Sequence, residues 1–371
     1  KMVMVNFMPT NLGALLTGYK NQIAKVDLTN GDILWENTYV GRAERTVISK
    51  EFLYDLSVQG DKVFLRMNGM QVYELNTGAN VYSAAFDFTP DKLVGAPAGA
   101  KKFGVYHAVA DPVIVGDDLY VLDMSNKRSQ YVKKYDRNSG KLLWTSPEIK
   151  EARAIPNMYV EGDRVLLQVG GVVEAQAYIY KRESDGNGGW EITEEWRIWH
   201  PEVKPFGVQA FSTTDGSLAW DSERFKKGIT NAIVVDDKFI VCSGKELYSL
   251  DVMTGAEKYT TPVATGGVGQ ANMILPYKDM VVVVGDKGVS TFNTTTGEPV
   301  AQNKYKKSEV EDYEGDRMIM KTAGSDIACF DLNTCQYKEF KARKGAVTSL
   351  STEGDFVYVY DKKNVTKVST R

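Results

Sequence analysis

The chain has 371 residues, 43% hydrophobic and 11% aromatic, and 45 Lys and Arg stand against 48 Asp and Glu for a formal net charge of −3. That balance argues against the strongly basic surface of a duplex nucleic-acid binder, and no run of about 18 apolar residues offers a transmembrane helix. Three cysteines and two histidines are too few for a disulfide framework, a structural zinc site or a histidine-rich catalytic centre.

The N-terminus, KMVMVNFMPT, enters strand-like sequence at once and lacks the basic start, apolar stretch and small-residue cleavage site of a signal peptide. Either the protein is cytoplasmic or a leader was removed ahead of this numbering. One phrase then recurs along the chain. It reads AKVDLTNGDILW (Ala24–Trp35), VYELNTGANVY (Val72–Tyr82), KKYDRNSGKLLW (Lys133–Trp144) and QAFSTTDGSLAW (Gln209–Trp220). It returns as YSLDVMTGAEKY (Tyr248–Tyr259), STFNTTTGEPVA (Ser290–Ala301) and ACFDLNTCQYKE from Ala328. Each copy is an alternating strand ending in Asp, Asn, Glu or Ser, whose polar side chain can bond the backbone of a turn. A glycine then supplies the positive φ that reverses the chain. The glycines are Gly31, Gly78, Gly140, Gly216, Gly255 and Gly297, with Cys335 in the seventh slot. The next strand opens polar and reaches a large aromatic, Trp35, Trp144 or Trp220, able to pack between neighbouring sheets. The acids of these turns are therefore expected to be structural, not catalytic.

A second mark lies upstream of each phrase. Gly60-Asp61, Gly116-Asp117, Gly162-Asp163, Asp236-Asp237, Lys278-Asp279, Gly315-Asp316 and Gly354-Asp355 each separate two apolar runs that read as half- or fully buried strands. Each unit is thus strand a, a Gly-Asp turn, strand b, strand c, the Asp-x-x-x-Gly turn and strand d. A repeat of about 40 residues with four antiparallel strands is a propeller blade. The prediction is an all-β, eight-bladed β-propeller over residues 1–371 as one domain, with seven blades as the alternative. The spacing of Asp237 and Gly255, counted back from Gly31, places a first a–b turn near Gly13 and strand a of the first blade at residues 2–9. Counted forward from Asp355 it runs past Arg371, so the last unit lacks its outer strand. The alternative is that residues 2–8 complete that last blade. Cys242, Cys329 and Cys335 are expected to be buried or idle thiols.

The phrases DLTNGDILW, DRNSGKLLW and STTDGSLAW resemble the PQQ-like propeller repeat, Leu-Tyr-Ala-Leu-Asp-x-x-x-Gly-x-x-x-Trp, and the likeness spans essentially the whole chain. Two branches share that repeat. Quinoprotein dehydrogenases hold pyrroloquinoline quinone and calcium on the propeller axis; the lipoprotein subunit of the outer-membrane β-barrel assembly machinery is an eight-bladed scaffold without cofactor. This chain is more similar to the second, since it has no adjacent Cys-Cys pair to stack a quinone and no assignable calcium set. The resemblance implies no cofactor, no metal, and a place in the periplasm or cell envelope. A WD-repeat reading would need a Gly-His pair in every blade, and two histidines cannot supply it.

Little else carries chemistry. His107 opens a predicted innermost strand and His200 precedes a proline; both are expected to be structural or surface residues. The GGVGQ segment at 266–270 is too short to cradle a phosphate and precedes a strand. Topology is more informative. Antiparallel blades put the short, uniform a–b and c–d turns on one face and the b–c and d–a loops on the other, and the insertions fall on the second. Residues 172–206 are expected to form an extra β-hairpin within blade 4, carrying Tyr178, Tyr180, Trp190, Trp196 and Trp199. The d–a links add Arg42 and Arg45 after blade 1, and Lys101 and Lys102 between blades 2 and 3. Aromatic and basic residues on one elaborated face match the composition of binding surfaces. The expected function is a non-catalytic scaffold that docks a protein or peptide partner there, with His107 beside it. The alternatives are a small-molecule or carbohydrate-binding propeller, or an enzyme with an axial site drawing on Asp55, Asn157, Asn231 and Asn272.

Overall fold

A computed structural model describes residues 2–6, 22–38, 55–67, 69–85, 100–106, 108–126, 129–149, 152–184, 186–222, 225–263, 267–306, 308–322, 326–343, 345–361 and 364–370. Arg42, Arg45 and His107 lie outside them. The chain divides into two compact units, one of residues 1–160, 173–203 and 211–218, the other of residues 161–172, 204–210 and 219–371.

In the first unit, β1 (Met2–Asn6), β2 (Gln22–Val26) and β3 (Ile33–Thr38) make one sheet. The second is β4 (Asp55–Gln59), β5 (Lys62–Met67), β6 (Gly69–Glu74) and β7 (Asn80–Ala85). After β8 (Ala100–Tyr106), the third is β9 (Val113–Val115), β10 (Asp118–Asn126), β11 (Ser129–Asp136) and β12 (Leu142–Thr145). Then follow β13 (Asn157–Glu161), β14 (Arg164–Val172), β15 (Glu174–Ser184), β16 (Trp190–Trp199), β17 (Glu202–Ser212) and β18 (Leu218–Asp221). The fourth sheet is ordered β13-β14-β17-β18, while β15 and β16 leave it for a separate sheet ordered β16-β15-β8.

The second unit continues the pattern. Its sheets are β19 (Ile229–Val235) to β22 (Glu257–Pro262) through β20 (Lys238–Ser243) and β21 (Glu246–Asp251), then β23 (Ala271–Tyr277), β24 (Met280–Gly285), β25 (Gly288–Asn293) and β26 (Pro299–Lys304). Next come β27 (Ser308–Glu314), β28 (Arg317–Thr322), β29 (Asp326–Asp331) and β30 (Tyr337–Lys341), and last β31 (Val347–Leu350), β32 (Phe356–Asp361) and β33 (Asn364–Ser369). No helix occurs among the described residues. The fold is an all-β, eight-bladed propeller, and the ninth sheet is the one that β8 shares with β15 and β16.

The first blade departs from the expectation that residues 2–9 are its strand a. The turn Asp27–Gly31 makes β2 strand c and β3 strand d, and β1 pairs directly with β2 from Met2↔Val26 to Asn6↔Gln22. It therefore takes position b. Spacing alone assumed a constant b–c length, and here that length differs. The last blade presents strands a, b and c among the described residues.

Middle strands carry consecutive apolar residues through their centres because both of their faces are covered. In β24, Val281 and Val283 pack with Ile240, Cys242 and Leu247 of the blade before, while Val282 and Val284 pack with Met318, Met320 and Phe330 of the blade after. In β28, Ile319 turns the other way, to Val357 and Val359. Stacked sheets thus convert the usual period-two alternation into continuous runs.

The repeated turns are joined to one another. In all seven copies the residue in the glycine slot donates its N–H to the carbonyl at the end of strand c, as Gly31 does to Asp27 and Cys335 to Asp331. Asp136, Asp251, Asn293 and Asp331 also accept turn N–H groups on their side chains. The residue after that acid donates to the a–b turn: Leu75 to Asp61, Val252 to Asp237, Leu332 to Asp316. Its carbonyl receives the aromatic of the preceding blade. Trp35 Nε1 donates to Leu75 O at 2.9 Å, Trp144 to Thr213 O at 3.0 Å, and Trp220 to Val252 O at 2.9 Å. Each ring lies on the next glycine so closely that a Cβ there would meet it at 2.5 Å (Gly78 and Gly216) or 2.6 Å (Gly255). Tyr259 covers Gly297 in the same way. The pattern explains its own exception. Where the slot holds Cys335, with φ +53, the preceding blade offers Ala301 in place of an aromatic, and the thiol is buried in the cluster against which Ala301 packs.

Two outcomes follow from this packing. Gly255→Ala should cost about 2–4 kcal/mol, combining left-handed strain with overpacking against Trp220, whereas Gly31→Ala, whose added Cβ meets nothing within 4 Å, should cost only about 1 kcal/mol; equal losses in urea titrations would refute the role given to the ring. All three cysteines are buried and free, and burial pushes the Cys329 and Cys335 thiols up to about 11. Ellman's reagent should therefore find no fast-reacting thiol in the native protein at pH 8, and three after unfolding.

Candidate functional site

The sheet β16-β15-β8 brings two loops together. The hairpin β15–β16 is the b–c connection of the fourth blade, and β8 lies in the d–a link between the second and third. Gly186 and Gly188, both at positive φ, turn the hairpin. Its register runs unbroken from Ala175↔Trp199 to Ser184↔Trp190. On the other side β15 pairs with β8 from Glu174↔Tyr106 to Tyr178↔Lys102, with a shift before Ile179↔Ala100 that leaves Lys101 at the irregularity.

Period two sorts the hairpin into two faces. One carries Ala175, Ala177 and Ile179, all buried, with Trp199 half-buried opposite Ala175. Towards the tip the same face becomes ionic. Glu195 accepts from Lys181 Nζ at 2.6 Å and from Arg197 Nε at 3.0 Å. Arg197 first and Lys181 second hold the Glu195 carboxyl down at about 2. The opposite face is an apolar stripe along β16: Trp190 (60% exposed), Ile192 (67%), Glu194, Trp196 (44%) and Ile198 (52%). The Arg182 guanidinium lies 4.8 Å from the Trp190 ring centroid, and Tyr180 sits half-buried on the same side.

Of the residues singled out from the sequence, Trp190, Trp196 and Tyr180 share this exposed face; the side chains of Tyr178, Lys101 and Lys102 lie outside the description. Trp199 belongs to the inner face. Arg42, Arg45 and His107 lie outside the described residues. His200 is exposed, 4.0 Å from Glu174. Ile192, Ile198 and Arg182 escaped sequence reasoning. The signal for the first two was present in W-E-I-T-E-E-W-R-I-W, whose even positions are apolar except Glu194.

Of the polar residues offered for an axial site, Asn231 is engaged in structure. Asn231 donates through Nδ2 to Ile274 O at 2.8 Å and accepts from Ile274 N at 2.9 Å, so its amide works as one rung of sheet between neighbouring a strands. Asn272 is exposed, and the Asp55 side chain lies outside the description. Among the described residues no group of three or more His, Cys, Asp or Glu is placed to hold a metal ion. The acids of the turn face are spent on structure: Lys258, with Lys238, holds Asp237 well below the usual carboxylate range, and Arg317 Nη1 reaches Asp331 at 2.6 Å.

Comparison with known proteins gives the following. The family model described as outer membrane protein assembly factor BamB matches residues 19–193 and 206–336. Its gap, 194–205, holds Trp196, Ile198 and Trp199. No curated protein sequence matches the chain. Among solved structures, BamB from Moraxella catarrhalis aligns at 14% identity over 99% of this chain and 95% of that one, with a TM-score of 0.48. The C-terminal WD40 domain of Sif2 aligns at 10% over 95% and 89%, TM-score 0.51, and a europium-containing methanol dehydrogenase at 13% over 97% and 81%, TM-score 0.46.

The ion pairs of the inner face set a pH limit. A carboxyl whose folded pKa is depressed stabilises fully above its unfolded value and loses that contribution as pH falls; for Glu195 the window runs from about 4.5 down to about 2. Carboxyl-detected NMR should give Glu195 a midpoint near 2 in the native protein, returning towards 4.5 in the Lys181→Gln/Arg197→Gln variant. A native midpoint at the ordinary value would mean that the pairs do not form in solution.

Proposed function

Because this chain belongs to the outer membrane protein assembly factor BamB family, we propose that it is a non-catalytic binding scaffold of the cell envelope. It docks a protein or peptide partner through the b–c/d–a loop face of its propeller. The family supports the class of work, assembly of other proteins. The observation that carries the face is the stripe Trp190, Ile192, Trp196 and Ile198, exposed together on one side of one strand. Scattered single apolar residues are ordinary on a protein surface, but four aligned on ten residues of strand are not. Trp and Tyr are also the side chains on which binding energy concentrates.

The surroundings fit a scaffold. The turn face is uniform and its acids serve the turns, so variation is confined to the loops. The hairpin's inner face buries Ala175, Ala177 and Ile179, so the outer face is presented from a strand that is anchored on its other side. A rigid, pre-ordered aromatic surface loses little entropy on binding.

The test is chemical cross-linking and pull-down from envelope extract, comparing the intact protein with Trp190→Ser/Trp196→Ser. The double variant should retain its melting temperature, since both side chains are exposed, and lose a partner held by the intact chain, with affinity falling by about thirtyfold or more. Equal capture by both proteins would remove the hairpin from the interface, and unfolding of the variant would show the tryptophans to be core.

A further inference from the structure

We propose that β16 engages its partner by strand addition: an extended segment with alternating apolar side chains, and a Lys or Arg facing Glu194, pairs with the open edge of β16 and continues the sheet β16-β15-β8. This rests on the scaffold reading above and names the chemistry of the partner.

Three observations lead there. First, β16 ends its sheet: the order β16-β15-β8 leaves its far edge without a strand among the described residues. It is ten residues long, without proline, and its pairing to β15 has no bulge. A long, regular edge is a template for another backbone. Second, the exposed stripe lies along that same strand, so an added strand would set its own alternate side chains beside Trp190, Ile192, Trp196 and Ile198 at cross-strand distance. Backbone pairing and side-chain burial then act in one geometry, as recognition of an extended chain requires.

Third, the charges select the occupant. Glu195 is paired with Lys181 and Arg197, but Glu191 stands directly opposite Glu183, and Glu194 interrupts the apolar stripe. Neither Glu191 nor Glu194 has a basic side chain at ion-pair distance among the described residues. Like charges directly opposed are unfavourable, so the strand is short of positive charge at both places. A second copy of this chain satisfies the pattern less well. Antiparallel self-pairing centred on Glu194 matches Ile192 with Trp196 and Glu191 with Arg197, yet it sets Glu194 against Glu194 and draws on an Arg197 already committed to Glu195. A partner strand with a central basic residue removes both conflicts.

The experiment uses the full chain and a fluorescein-labelled synthetic peptide of about ten residues, alternating Val or Tyr with Thr and carrying Lys at the centre of its apolar face. Fluorescence anisotropy should show saturable binding, weakened about fivefold when that Lys is replaced by Glu. The preference should reverse in the Glu194→Lys protein. N-methylation of one alternate set of peptide amides should abolish binding while methylation of the other set spares it, because only one set faces the edge. Equal binding by both methylated peptides would overturn strand addition, as would absence of peptide binding in a protein that still captures its envelope partner through Trp190 and Trp196. That second outcome would leave the scaffold reading standing. Register-dependent peptide binding without any envelope partner would do the reverse. Light scattering should give a monomer of 41.3 kDa; a dimer that dissociates on Glu194→Lys or Ile192→Asp would place a second copy on the edge and overturn the proposal.

Discussion

The contact on which the rest of the structure depends is an aromatic ring laid over the turn glycine of the following blade. A blade alone is a four-stranded sheet with two apolar faces and cannot exclude water from both. Stacking solves the burial problem but leaves sheets free to slide, since Val against Val has no register. The ring and its Nε1–H supply one. Trp220 can place its nitrogen on Val252 O only if its six-membered ring lies over Gly255, and Val252 in turn donates to Asp237 of the a–b turn. One side chain thus ties strand d of one blade to both turns of the next. The Ala301–Cys335 exchange shows that the demand is one of volume: when the slot gains a side chain, the neighbour gives up its ring.

This mechanism explains why one end of every blade is uniform. The a–b and c–d turns carry the register, so their lengths are held constant, while the residue that ends strand c varies among Asp, Glu, Asn and Ser. The b–c and d–a connections carry no such duty, and loop closure is forgiving of length. Insertions therefore accumulate there. The fourth blade gains a hairpin, the link between the second and third gains β8, and the two find each other as strands of one sheet. Ala175 and Ala177 are buried on the inner face of that sheet, and strand parity puts Trp190 and Trp196 of β16 on its exposed side.

Much of this was readable in the chain. The turn phrase announces itself because its φ requirement restricts the glycine slot and because the acid before it is bonded to the turn. The continuous runs of the b strands follow from two-sided burial. What escaped was what spacing cannot encode. That β1 stands beside β2 in position b depends on a long-range pairing, and Met2–Asn6 contains no feature to distinguish a from b. The pairing of β15 with β8 joins segments remote in sequence, and AKKFGVY reads as an ordinary link until β15 is set against it. Trp199 was grouped with Trp190 and Trp196 by residue type, whereas strand parity puts it on the other face; counting odd and even positions would have separated them. Asn231 looked like a free polar group in a channel because sequence does not reveal that an amide can replace a backbone rung.

The glutamates of β16 bear on how so apolar an edge is kept from pairing with its own kind. An exposed strand with Trp and Ile on one face would ordinarily recruit its own kind. Charges placed on the edge are the usual protection, and here the protection has a direction. Glu194 sits at the centre of the stripe, where any antiparallel self-pairing that aligns the apolar positions must bring it against its own copy. Glu191 and Glu183 add to the same sign. On the proposed strand addition, the charge that opposes an identical strand is the same one that would favour a basic partner. A protein that carried the stripe for packing alone would have no need of a charge at its midpoint, where burial against its own blade would penalise it.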